Sequence, residues 1–191
     1  MKKLITLFFF FTSLINYSQE KAFVLTVNDE NKMKEELLKI IPENETLLTF
    51  EVGRATPRNI LDVIAVTETQ DPEANRIIYL FRGEGKNTFL LHSKNPNIIE
   101  CAQCGGAGVG DPFQGIDIVK NGFNIYIMYG ACVKDSITIS FTYNTKKNNW
   151  FLSEKIRSTA YCNEVNKDGS VKVETKKEQQ KDYGKILFTE Y

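Results

Sequence analysis

Phe113-Gln114-Gly115-Ile116-Asp117-Ile118-Val119-Lys120-Asn121-Gly122-Phe123-Asn124-Ile125-Tyr126-Ile127-Met128-Tyr129-Gly130 reads as two extended runs joined by an Asn-Gly turn. Asn-Gly is the strongest two-residue hairpin signal, because both residues tolerate positive φ. With Asn121 and Gly122 as the loop, Ile118 stands against Ile125 and Ile116 against Ile127. Four isoleucines then share one face, as a buried face demands of strand register. Tyr126 and Met128 point the other way, so residues 123–129 are expected to form an inner strand covered on both sides.

The pattern continues toward the C-terminus. Residues 136–143 alternate, with Ile137, Ile139, Phe141 and Tyr143 on one face and Thr138, Ser140 and Thr142 on the other. A polar turn at 145–149 returns the chain as a strand over 150–156. Matching the apolar faces pairs Tyr143 with Trp150, Phe141 with Leu152 and Ile137 with Ile156. Residues 163–182 are polar, with a Lys-Asp-Gly turn at 167–169 and a charged, exposed stretch at 176–181. Residues 184–191 are expected to close the sheet as an edge strand.

Toward the N-terminus, residues 47–52, 60–67, 76–82 and 87–92 are branched, apolar or aromatic runs of strand length. Gln70-Asp71-Pro72-Glu73 and Gly83-Glu84-Gly85 separate the later ones. No helix-length spacer lies between them, which disfavours parallel crossovers and predicts an antiparallel meander. Ahead of them stand a short strand at 23–27 and one amphipathic helix. That helix carries Met33, Leu37, Ile40 and Ile41 on one side, is capped by Asn28 or Asp29, and is stopped by Pro42. The fold class expected is mainly β (α+β), antiparallel meander sheets with one N-terminal amphipathic helix.

Residues 1–18 have a different character. Met1-Lys2-Lys3, the apolar run 4–11 and the more polar 12–18 follow the layout of a secretory signal peptide, with cleavage after Ser18. The apolar run is too short to span a bilayer, which takes about 20 residues. Cleavage leaves 22 Lys+Arg against 24 Asp+Glu, a net charge of −2. The expected product is a single β-rich domain over 19–191, exported to the periplasm or the medium, with no integral membrane segment. Without a basic excess, long-range attraction of nucleic acid is not expected.

Cys101, Cys104, Cys132 and Cys162 admit three readings. A structural zinc wants four ligands, and the Cys-x-x-Cys pair supplies two. A thiol oxidoreductase wants its first cysteine at a helix N-terminus, whereas Gly105 and Gly106 follow here. Export favours the third reading, two disulfides joining Cys101 to Cys104 and Cys132 to Cys162. Strand register sets Cys162 opposite Ala131, one residue from Cys132, so the second bridge needs a bulge or an irregular loop at 130–131. No cofactor is expected. The spacing of Gly106, Gly108 and Gly110 is not a nucleotide loop, because Pro112 and a hairpin follow it instead of a helix. The segment Gly105, Gly106, Gly108, Gly110, Asp111 and Phe113 is the candidate binding loop.

Cys101-x-x-Cys104-Gly105-Gly106, Gly110-Asp111-Pro112-Phe113-Gln114-Gly115-Ile116 and Asn121-Gly122 together carry a family resemblance. The chain resembles a family of small exported bacterial proteins and lipoproteins with a Gly-Asp-Pro-Phe-x-Gly-Ile signature, and the similarity covers most of 37–191. The resemblance implies export and a β-rich fold, and it brings no agreed activity. Where many members of that family carry an acidic, calcium-like loop, this chain has Gly53-Arg54-Ala55-Thr56-Pro57-Arg58-Asn59-Ile60-Leu61-Asp62. Arginines there predict no calcium site.

No nucleophile motif accompanies His92, the one histidine. Carboxylates can serve as general acid and base, and Glu51, Asp62, Glu100, Asp111 and Asp117 are the candidates, with nothing in the sequence to pair them. The expected function is a non-catalytic binding or interaction protein of the cell envelope, a class that includes inhibitors and immunity proteins. The alternatives are a carboxylate-dependent envelope hydrolase or a purely structural envelope protein. Phe113, Tyr126 and Tyr129 are the aromatics to examine at a partner surface.

Overall fold

A computed structural model describes residues 22–191; the proposed leader, residues 1–18, lies outside them. Ten strands form two five-stranded antiparallel sheets. The first sheet has the order β1-β5-β4-β3-β2, from β1 (Phe23–Val24), β2 (Glu45–Gly53), β3 (Asp62–Thr69), β4 (Arg76–Gly85) and β5 (Thr88–Ile99). The second is an unbroken meander of β6 (Phe113–Val119), β7 (Gly122–Gly130), β8 (Val133–Asn144), β9 (Asn149–Val165) and β10 (Val171–Gln179). The fold is therefore mainly β, as the sequence predicts.

Two apolar layers hold it together. Between the sheets, Ile64, Val66, Ile78, Leu80 and Ile99 meet Phe123, Ile125, Ile127, Ile139, Phe141, Trp150 and Leu152. On the other face of the first sheet, α1 (Glu30–Leu38) packs Met33 and Leu37 onto Val63, Ala65, Tyr79, Phe81 and Phe89. This is why Val63 to Val66 of β3 is buried on both faces and reads as a continuous apolar run. Asp29 caps α1, its side chain accepting a hydrogen bond from the Lys32 backbone N–H at 3.1 Å. The helix ends at Leu38, before the turn that leads to Pro42.

Several registers differ from expectation. The loop of the central hairpin is Lys120-Asn121, with Val119 opposite Gly122 and Ile118 opposite Phe123. The slip is two residues, so the isoleucines keep their common face. Gly122 is excluded from the turn by its neighbour strand: a Cβ there would lie 2.1 Å from the Phe141 carbonyl oxygen. Asn121 carries the positive φ, at 63°. Likewise β4 runs through Gly83-Glu84-Gly85, and the turn falls at Lys86 and Asn87, both at positive φ. The outer face of β7 (Asn124, Tyr126, Met128) is half-buried, not covered.

Tyr143 does face Trp150 and Phe141 faces Leu152, but a bulge then moves Thr138, not Ile137, opposite Ile156. The extra residue has a second consequence. With Val133 opposite Tyr161, Cys132 and Cys162 come into direct register, with Cα atoms 5.2 Å apart. The bulge needed for this disulfide thus lies near Ser153, far from Gly130. The Cys101–Cys104 bridge is present as well, and no cysteine is free.

The tail is the largest correction. Residues 171–179 form the edge strand β10, despite their polarity, by pairing along β9. Residues 184–191 do not form a full edge strand: they make one isolated antiparallel bridge to β9, Leu187 opposite Phe151. Leu152 N–H donates to the Ile186 carbonyl at 2.9 Å, and the chain then turns through a 3-10 helix (Phe188–Glu190). Phe188 enters the core fully buried, 5.4 Å from the Phe141 ring. Its carbonyl accepts a hydrogen bond from buried Asn95 of β5. The C-terminus thereby closes one side of the sandwich. On the other side, β2 and β6 approach each other without pairing. No helix among the described residues is long and apolar enough to cross a membrane.

Candidate functional site: the seam between the two sheets

The β2–β6 seam is where each sheet ends. Each strand has a neighbour on one side only, so each presents an unpaired backbone edge. The two strands pass close at Gly53, where a Cβ would lie 2.9 Å from Ile118 Cγ2. Beyond that contact the strands leave a cleft of about 620 Å³, lined by Glu51, Val52, Gly53 and Arg54 on one side and residues 117–121 on the other.

One carboxylate holds the loop whose residues Thr56 to Asn59 also line the cleft. Asp62, 1 % exposed, accepts hydrogen bonds from the Thr56 backbone N–H (3.0 Å), the Thr56 hydroxyl (2.9 Å), the Gly83 N–H (3.2 Å) and Arg58 Nη2 (3.1 Å). These bonds fold residues 54–61 back over the sheet. Trp150 Nε1 donates to the Ala55 carbonyl at 3.2 Å and fixes the loop from below. Burial pushes the Asp62 carboxyl above its ordinary value, and the hydrogen bonds from Thr56 and Gly83 with the charge of Arg58 only partly offset this. Asp62 and Arg58 are thereby committed to the loop.

The groups that remain toward the cleft are Glu51 and Asp117, with Arg54 and Lys120 at its rim. Asp117 Oδ1 accepts a hydrogen bond from the Tyr126 hydroxyl at 3.1 Å, and Asn124 Nδ2 donates to the same tyrosine oxygen at 3.3 Å. Glu51 is exposed, yet the cleft walls remove part of its water. That desolvation, followed by the negative charges of Asp117 and Glu30, raises its carboxyl above the ordinary value. The structure therefore brings together two of the five carboxylates that sequence reading could not pair. Sequence reading does not join these carboxylates to the cleft's cationic lining: Arg54 and Lys120 carry no motif, and only the meeting of two strand edges unites them.

The glycine-rich loop has a different surrounding. It docks on the β7–β8 turn, with Gly108 N–H donating to the Gly130 carbonyl (3.2 Å) and Gly130 N–H to the Gly105 carbonyl (2.7 Å). Gly105 and Gly110 are tied at 2.8 Å, as are Gly110 and Gly106. A Cβ on Gly108 would stand 2.5 Å from Ala131 Cα. Asp111 pairs with Arg76, a guanidinium 3 % exposed that also reaches Glu68 at 3.2 Å. Phe113 packs against the core with the Arg76 guanidinium 5.7 Å from its ring centre. Each of these residues has a partner inside the fold that accounts for its type.

The other candidates lie apart from the seam. Tyr129 packs on the core, where burial and the adjacent Glu100 push its hydroxyl up to about 12. His92 joins Ser93 Oγ and the Asn148 carbonyl through its two ring nitrogens and meets Trp150 edge-on at 4.9 Å. No group of three or more His, Cys, Asp or Glu side chains among the described residues is placed to hold a metal. No protein-family model, curated protein or solved structure matches the chain.

Proposed function

We propose that this is an exported, non-catalytic binding protein of the cell envelope, in the class that includes inhibitors and immunity proteins, and that its partner enters the β2–β6 seam. The observation that carries this reading is the cleft itself, bounded by two unpaired strand edges. Exposed edges are templates for another extended chain, and a segment added there gains main-chain hydrogen bonds for affinity and side-chain pockets for specificity. Val52 and Ile118 offer apolar contact at the centre. Glu51 and Asp117 favour a basic side chain on the partner, because a cation relieves the repulsion between them. Two disulfides suit a protein working in an oxidising compartment.

The test is site-specific photocross-linking in the producing cell. A photoreactive residue replaces Asn59, which is exposed and lines the cleft, or Lys167, in the distant β9–β10 turn. A single discrete adduct from position 59 and none from 167 is expected. Identical adducts from both positions, or none from either, would overturn the reading.

The pairing of Glu51 with Asp117 also favours a second reading, a carboxylate-dependent hydrolase, with the raised Glu51 as acid and Asp117 as base. Turnover of an envelope glycan or peptide, lost in both Glu51→Gln and Asp117→Asn, would establish it in place of the first.

A further inference from the structure

A second cavity has a volume of about 390 Å³. It forms where the β8–β9 turn meets the C-terminal segment. Lys146 and Lys147 come from the turn; Lys185 comes from the segment that the bond from Leu152 to Ile186 draws onto β9. Gln180 of α2 (Gln180–Tyr183) and Thr142, Asn144 and Ser153 add amide and hydroxyl groups. No carboxylate lines the cavity, in contrast to the seam. Among the described residues, none of the three lysines appears in an ion pair, whereas Lys172, Lys176 and Lys177 nearby on β10 are each paired with a glutamate.

Three lysines thus line one cavity with no carboxylate among its lining residues, in a protein with no overall positive excess. Such a cluster gains by accepting an anion, and a cavity holding several ammonium and hydroxyl donors matches the many acceptor oxygens of a phosphate. Phe151 and Tyr143, both half-buried, also line the cavity and suit an apolar body attached to that group.

We infer that the Lys146–Lys147–Lys185 cavity is a binding site for a phosphate-bearing ligand, separate from the seam. The source is either a phospholipid headgroup of the envelope or a soluble phosphate compound.

The experiment uses the purified oxidised protein and two probes. One is vesicles of phosphatidylglycerol diluted into phosphatidylcholine, read by co-sedimentation. The other is inorganic phosphate, read by backbone amide shifts against equal ionic strength of chloride. Each lysine near an anionic surface contributes about fivefold in affinity. Lys146→Gln, Lys147→Gln and Lys185→Gln are therefore each expected to weaken binding about fivefold, while Lys167→Gln, in the β9–β10 turn, leaves it unchanged. Sedimentation with anionic vesicles assigns the lipid source. Shifts confined to residues around 146, 147 and 185 on adding phosphate assign the soluble one. Binding unaffected by the three substitutions, equal binding to pure phosphatidylcholine, or silence from both probes would overturn the inference. The seam lies outside this result, since neither probe is an extended polypeptide.

Discussion

Both Nη atoms of Arg76 donate to the carboxylate of Asp111, so the end of the glycine-rich loop is fastened to a guanidinium buried in the first sheet. Burial works to raise the Asp111 carboxyl, but the hydrogen bonds from Arg76 and the Phe113 N–H, with the Arg76 charge, hold it below its ordinary 3.8. A carboxylate lowered in the folded state stabilises above its unfolded value, and that contribution is lost as pH falls through the folded one. Asp111→Ala should cost about 2 kcal/mol at neutral pH, as expected for hydrogen bonds to a charged group. In urea titrations followed by Trp150 fluorescence, the deficit relative to wild type should shrink below pH 3.8. A deficit unchanged down to pH 2 would contradict the ion-pair account.

Glu51 has the opposite sign. Its carboxyl is raised, so the ionised form is less comfortable folded than unfolded, and stability falls as pH rises from 4.5 through the folded value. Glu51→Gln should therefore stabilise slightly at pH 7, by no more than about 0.5 kcal/mol, and lose that advantage below pH 4.5. The same variant should weaken the adduct at position 59 in cells. A residue that costs stability and supports binding has the signature of a functional group. Loss of stability at pH 7 would show instead that Glu51 is structural.

Asp62→Ala should be the most damaging change at the seam. It leaves the Thr56 and Gly83 donors unmet and the Arg58 charge half-buried without its carboxylate. A loss of about 3–5 kcal/mol is expected, with faster hydrogen exchange over residues 54–61. Slow exchange persisting there would mean that Trp150 alone fixes the loop.

Gly122→Ala tests the hairpin. With the Phe141 oxygen 2.1 Å from the new Cβ, β7 and β8 must separate, at a cost of about 1–3 kcal/mol. Gly169→Ala meets open space and suffers only its φ of 82°, for about 1 kcal/mol. Equal costs in thermal melts would argue for a turn at Asn121-Gly122 after all.

The two disulfides should separate by loop length. Cys132 and Cys162 are 30 residues apart and Cys101 and Cys104 three. The chain-entropy model gives roughly 3–4 kcal/mol for the long loop and about 2 for the short one. Replacing each pair with alanine and comparing denaturant midpoints checks the order.

Local patterns carried most of the secondary structure. The alternation of 137, 139, 141 and 143 marks β8, and the isoleucines of β6 and β7 share a face in any register that preserves parity. The polar strand β10 left no such pattern: its residues 174–179 are all polar or charged, and pairing along β9 from Thr159 to Glu154 holds them in the sheet. The edge role expected of 184–191 failed for a related reason. Phe188 is apolar, but whether it pairs along a sheet or plugs the gap between two sheets depends on where the sheets end.

From the amino-acid order alone came the antiparallel meander, the amphipathic helix packed on the first sheet and the four cysteines' pairing, because each depends on neighbours close along the chain or on one repeating face. What the tertiary structure decided was the stacking of two sheets, the bulge that aligns Cys132 with Cys162, and the two cavities. Those depend on strand ends meeting across space: Glu51 and Asp117 are 66 positions apart, and only the close passage at Gly53 makes their charges neighbours.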